Sequence, residues 1–249
     1  MYSHELLFVC GWIIWEWELP DNEKPGIFTW GMSYGSIDFD FINLNMLKYK
    51  DLDKRIKAFV FELDDVIYPE KDYLLQVYYL FTNFIEFTEG FPSAHDLTEF
   101  FKTAYTHHGD EGIFDRAKEA FGLEEKYRDN FERLYFTARL PLKLLLFSGI
   151  LELMQEIVVD RKHLFLVTNG KPEIQLNKIR QIEWNGLEKY LRVYYASEIN
   201  LKPNPDVLSY IMDEHQLIRK DIMVIGATET DLEFAISSGV DYLAVDEFL

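Results

Sequence analysis

The chain has 249 residues, 48% of them apolar and 16% aromatic, with 25 Lys and Arg against 43 Asp and Glu for a formal charge of −18. That apolar content can fill the core of one large domain or two modest ones, and the acidity, with no run of Lys and Arg to offset it, argues against a nucleic-acid backbone as partner. The single Cys10 excludes an intramolecular disulfide framework and a thiolate metal cluster, so a reducing, cytoplasmic compartment is the expectation.

Residues 1–50 contain Trp12, Trp15, Trp17 and Trp30, scattered glycines, no helical period, and a weak alternation at Ile37, Phe39 and Phe41. Three readings are compatible with them: a strand-rich extension, a disordered lead, or sequence upstream of a true start at Met46. The apolar run Leu6 to Trp15 is too short to span a bilayer and follows His4 and Glu5 rather than basic residues. Neither a membrane span nor a signal peptide is expected.

From Ile56 the pattern becomes orderly. The run Ala58 to Phe61 reads as a buried strand that ends abruptly in Glu62, Asp64 and Asp65. Tyr73, Leu74, Val77, Tyr78, Phe81, Phe84 and Ile85 recur at helical spacing. A second helix is expected after Pro92 and Ser93, with Asp96 completing a capping-box-like start. A third runs Ile113 to Phe121 and stops at Gly122, and a fourth carries Tyr127, Phe131, Leu134 and Tyr135. Together these predict a helical insertion after the first strand.

Beyond Pro141 helix and strand alternate. Helices at Gly149–Val159, Pro172–Ile182, Pro205–His215 and Leu232–Ser238 precede strands at His163–Val167, Val193–Ala196, Ile222–Ile225 and Tyr242–Val245. Such alternation predicts a parallel sheet with helices on both faces and right-handed crossovers. The expected division is 1–50 as an extension, 51–69 and 141–249 as an α/β core, and 70–140 as a helical cap.

The strand ends carry the chemistry. Glu62, Asp64 and Asp65 follow the first; Thr168, Asn169 and Gly170 follow the second, just before a helix with Pro172 at its start. Lys202 in KPNP follows the third, and Gly226-Ala227-Thr228-Glu229-Thr230-Asp231 the fourth. Carboxylates, a hydroxyl and a lysine at one sheet edge suit phosphoryl transfer, in which a carboxylate attacks phosphorus, Mg²⁺ neutralises the dianion, and the lysine and hydroxyl hold its oxygens.

Over Ile56 to Val245 the order and spacing of these motifs resemble the haloacid dehalogenase (HAD) superfamily, in particular its capped phosphohydrolases similar to phosphoglycolate phosphatase. The resemblance implies a Rossmann-like α/β core with an inserted all-helical cap. Its first motif, DxDx[TV], places the family's nucleophile at Glu62 and its general acid and base at Asp64. Phosphate binding falls on Thr168 and Lys202, with Asn169 beside them, and Mg²⁺ on Glu62, Asp64, Asp231 and, as a substitute ligand, Glu229. Residues 1–50 have no counterpart in the family.

Two positions depart from the pattern. Glu62 stands where the family has Asp, moving the oxygens by roughly 1 Å or more, a displacement that can cost about 100-fold in rate. Ala227 stands where the metal-binding Asp of the fourth motif belongs, in a loop one residue short. The resulting expectation is a hydrolase scaffold for small phosphate monoesters with weak or no activity, which leaves enzyme and pseudoenzyme both open. Its alternatives are a non-catalytic module that binds a phosphorylated metabolite or docks a partner, and an active Mg²⁺-dependent phosphatase with a rearranged metal site. A metal-free dehalogenase is a further option, weakened by Glu62. The expected ligand is a small phosphorylated metabolite, with neither nucleic acid nor membrane as partner and the oligomeric state left open. Asp65 reads as a turn or cap residue, and the adjacent His107 and His108 point apart on a helix, as loop or surface residues.

Overall fold

The computed structural model describes residues 47–249 and, near the start of the chain, a short antiparallel pair formed by β1 (Phe8–Val9) and β2 (Trp12–Ile13). The described residues from 47 onward belong to one compact unit, divided from the start of the chain at residue 45. The alternation at Ile37, Phe39 and Phe41 and the alternative start at Met46 lie outside the described residues.

The larger unit is built on a parallel sheet of five strands in the order β7-β5-β3-β8-β9. These are β3 (Ala58–Phe61), β5 (His163–Thr168), β7 (Leu191–Tyr195), β8 (Ile222–Gly226) and β9 (Asp241–Ala244). β3 lies at the centre, and all four of its residues are buried because both faces of the sheet are covered. Its side chains alternate between two cores. Phe59 and Phe61 face Ile150, Leu153, Met154 and Ile157 of α5 (Ser148–Val159), whereas Ala58 and Val60 face α7 (Asp206–His215) and α8 (Glu229–Ser238) through Val207, Leu208, Ile211 and Phe234.

The helical insertion follows β3. It comprises α1 (Glu70–Glu89), α2 (Ala94–His108), α3 (Ile113–Phe121) and α4 (Arg128–Thr137). The capping signal at the start of α2 is realised, since Ser93 accepts the Asp96 N–H and donates its hydroxyl to the Asp96 carboxylate at 2.7 Å. Inside the insertion Phe131 stacks on Tyr78 and Phe101 and meets Phe81 edge to face. This aromatic core binds the four helices to one another.

Two short strands escaped the sequence pattern. β4 (Leu144–Leu145) and β6 (Ile182–Glu183) form a second, two-residue parallel ladder, too short to leave a period. Ile182 therefore belongs to this ladder, and α6 ends one residue earlier than its pattern suggests (Pro172–Gln181). Among the described residues no helix is long and apolar enough to cross a membrane.

Candidate functional site

The register of the sheet decides which side chains meet. Phe61 pairs with Leu166 on β5 and with Ile225 on β8, and the Glu62 N–H extends the ladder by donating to the Ile225 carbonyl at 3.2 Å. Glu62, Thr168 and the loop after Gly226 therefore emerge at one edge, beyond the carboxyl ends of the strands, where open α/β sheets bind ligands. Lys202 reaches the same place from the turn before α7. The Asn169 amide fixes that turn by accepting the Lys202 N–H at 3.0 Å and donating to the Lys202 carbonyl at 3.2 Å.

Four carboxylates and two ammonium groups assemble into two clusters. In the first, the Lys202 ammonium is only 3% exposed and lies between Glu62, which it contacts through Oε2, and Asp231 Oδ1 at 2.5 Å. Glu62 Oε1 accepts from the Thr168 hydroxyl at 2.5 Å and from the Leu63 N–H at 2.9 Å. Asp231 Oδ2 accepts from the Ala227 N–H, the Thr228 N–H and the Thr228 hydroxyl at 3.1, 3.1 and 2.8 Å, closing a capping box on α8.

The second cluster joins the core to the first inserted helix. Lys178 on α6, also buried, donates to Asp64 Oδ2 and to Glu70 Oε1, each at 2.8 Å. Asp64 Oδ1 accepts from the Tyr68 hydroxyl at 2.7 Å, and Asp64 Oδ2 also accepts from Gln175 at 3.0 Å. The same Gln175 amide donates to Thr168 Oγ1 at 2.7 Å, which links the two clusters. Asp65, with a positive φ of 56°, accepts the Glu70 N–H at 2.9 Å and so is a turn and helix-start residue.

Burial and pairing compete at each group. For both lysines burial alone would depress the pKa; the carboxylates of Glu62 and Asp231 around Lys202, and of Asp64 and Glu70 around Lys178, outweigh it and raise both above the ordinary lysine value. At Glu62 burial wins, so its pKa lies above the usual glutamate range despite Lys202 and Thr168. Burial pushes Asp231 the same way, but Lys202 and the Thr228 donors reverse it and its pKa is lowered.

The family resemblance implies Mg²⁺ on Glu62, Asp64, Asp231 and Glu229. Glu229 lies exposed at the start of α8, whereas Asp231 is 2% exposed and turned inward against Gly226. Every carboxylate oxygen of Glu62, Asp64 and Asp231 already accepts from a protein donor. Among the described residues no three His, Cys, Asp or Glu side chains come together to hold an ion. Mg²⁺ demands near-octahedral oxygen ligation at about 2.0–2.1 Å, and this donor set does not fit it.

The phosphate residues foreseen in the sequence are brought together, with Thr168 and Lys202 meeting at Glu62 and Asn169 bracing Lys202. Gln175, Lys178, Tyr68 and Glu70 were not foreseen. In sequence they are ordinary helix and turn residues; a lysine three positions after a glutamine on α6 gives no sign that both are buried.

Residues 59–245 match the family described as haloacid dehalogenase-like hydrolase. The chain belongs to that family. Among solved structures, a candidate β-phosphoglucomutase from Thermotoga maritima is 19% identical with a TM-score of 0.52, covering 74% of this chain and 82% of its own. A candidate HAD-hydrolase from Bacillus subtilis, solved with bound magnesium, is 19% identical with a TM-score of 0.49 over 76% of this chain and 88% of its own. A candidate phosphoglycolate phosphatase from Lactobacillus delbrueckii is 20% identical with a TM-score of 0.47 over 80% and 86%. No curated protein sequence matches the chain. In this haloacid dehalogenase-like chain Glu62 contacts Lys202 and Thr168 just beyond the end of the central strand.

Proposed function

We propose that the protein is a haloacid dehalogenase-like scaffold for small phosphate monoesters in which turnover is weak or lost. In this reading residues 70–140 act as a cap over a core of 51–69 and 141–249. The observation that carries the proposal is the state of Glu62. A nucleophile needs a carboxylate oxygen free to face phosphorus, yet Oε1 is held by Thr168 and Leu63, and Oε2 by Lys202. Its longer side chain has folded back onto its own cation. Ala227 adds no carboxylate to the site, and Asp231, which retains the charge of that loop, is committed to capping α8.

The non-catalytic reading of the same site is favoured by a further feature. Thr168, Gly170 and the start of α6 at Pro172 form a strand–turn–helix of the kind that holds anions through backbone N–H groups and the helix N-terminus. Binding can outlast hydrolysis because it does not require in-line attack.

The test is hydrolysis of an aryl phosphate with Mg²⁺, run beside the Glu62→Asp, Ala227→Asp double variant. The wild type is expected to fall about 100-fold or more below the variant. Wild-type turnover within the ordinary enzymatic range of about 1–10³ s⁻¹ would refute the reading. Inorganic phosphate should raise the thermal midpoint of the wild type in the absence of metal.

A further inference from the structure

We infer that the protein supplies its own cations where its family implies a divalent metal: the ammonium groups of Lys202 and Lys178 neutralise the acidic centre, which consequently does not take up Mg²⁺. Each lysine lies between two carboxylates, Lys202 between Glu62 and Asp231, and Lys178 between Asp64 and Glu70. Both ammonium groups are almost completely buried, so water screens them little.

Two physical arguments converge. The first is ligand availability. The oxygens that would face a metal already accept from Lys202, Lys178, Thr168, Gln175, Tyr68 and the Ala227–Thr228 backbone. A metal would have to share these oxygens with donors that already orient them. The second is charge. An ion at these carboxylates would lie beside a fixed ammonium in a poorly screened interior, where like charges repel strongly. Ala227 removes the carboxylate that could have offset that repulsion, and its own N–H instead helps hold Asp231 inward.

Lys178 extends the consequence to the cap. Glu70 is the first residue of α1, so a core lysine holds both the motif residue Asp64 and the beginning of the inserted helices. The hinge between core and cap is therefore tied by a cation belonging to the chain.

This inference rests on the proposed function only in taking the centre to be the family's phosphate-ester site, and its test is separate. Full-length wild type is titrated with MgCl2 and, independently, MnCl2, against NaCl at matched ionic strength, with the thermal midpoint and bound Mn²⁺ by electron paramagnetic resonance as readouts. A site with a Kd one hundredth of the metal concentration would raise the midpoint by about 5–11 °C; the expectation is no saturable rise and no bound Mn²⁺. In Lys178→Met and Lys202→Met the freed carboxylates should give a metal-dependent rise that the wild type lacks. Should either variant fail to fold, the wild-type Mn²⁺ spectrum alone decides, because a saturable bound signal overturns the inference. Mg²⁺ uptake without hydrolysis would defeat this inference and spare the low-turnover reading, whereas brisk hydrolysis without metal would do the reverse.

Discussion

Replacing Lys202 by Met keeps an unbranched side chain one atom shorter and removes its charge and donors. In the native structure that charge is 3% exposed and touches two carboxylates, one of them itself 2% exposed. Removing one partner of a buried ion pair costs about 3–5 kcal/mol because the other charge is left uncompensated. The lower end applies here. Asp231 keeps three donors from Ala227 and Thr228, and Glu62 keeps Thr168 and Leu63 and can accept a proton, since burial already raises its pKa. At about 2–4 °C per kcal/mol for a chain of this size, a loss of about 3 kcal/mol lowers the thermal midpoint by roughly 6–12 °C. The assay is thermal and urea unfolding of both proteins at pH 7 and pH 5. The deficit should shrink on acidification, as the unpaired Glu62, whose pKa burial raises, takes up its proton. Midpoints within about 1 °C at pH 7, or a deficit that grows on acidification, would show that Lys202 is not the buried counter-ion.

Opposite pH dependences are expected for Glu62→Gln and Asp231→Asn. Asp231 has a lowered folded pKa, so its stabilisation is present above the unfolded value of about 3.9 and is lost as pH falls through the folded one; the deficit of Asp231→Asn should vanish in acid. Glu62 has a raised folded pKa, so its ionisation costs stability above that folded value, and the cost is absent below about 4.3. Glu62→Gln should therefore be at least as stable as wild type at pH 7, its relative advantage fading toward pH 4, and urea unfolding across that range will show parallel curves if the assignment is mistaken. A Cβ at Gly226 would lie 2.3 Å from Asp231 Cβ and 2.8 Å from its Cγ, so Gly226→Ala must displace the first turn of α8. Overpacking of that kind costs about 1–3 kcal/mol; an unchanged urea midpoint would mean that Asp231 does not sit against Gly226.

Most of the fold was legible because the longer elements left a period or a boundary in the chain. The apolar run Ala58 to Phe61 reads as a buried strand, and Gly122 and Gly239 end their helices in the left-handed region that glycine enters without strain. The two-residue ladder of β4 and β6 was not legible, because its backbone pairing depends on where α4 and α6 end. Within the site, Glu62, Thr168 and Lys202 could be named because Glu62 follows β3, Thr168 ends β5, and Lys202 lies in the polar turn between β7 and α7. Lys178 and Gln175 could not, since only the packing of α6 against the β3–α1 turn buries them.

The sequence by itself determined the longer helices and strands, their alternation, and the edge at which chemistry-bearing residues gather; the departures at Glu62 and Ala227 are what the family resemblance implies. These are local facts, written in periodicity and in residue type at a strand end. Tertiary structure alone decided what the carboxylates face: Lys202 between Glu62 and Asp231, Lys178 between Asp64 and Glu70. Charge pairing of this kind joins residues up to 140 positions apart and depends on strand register and helix docking, so no local pattern in the chain encodes it.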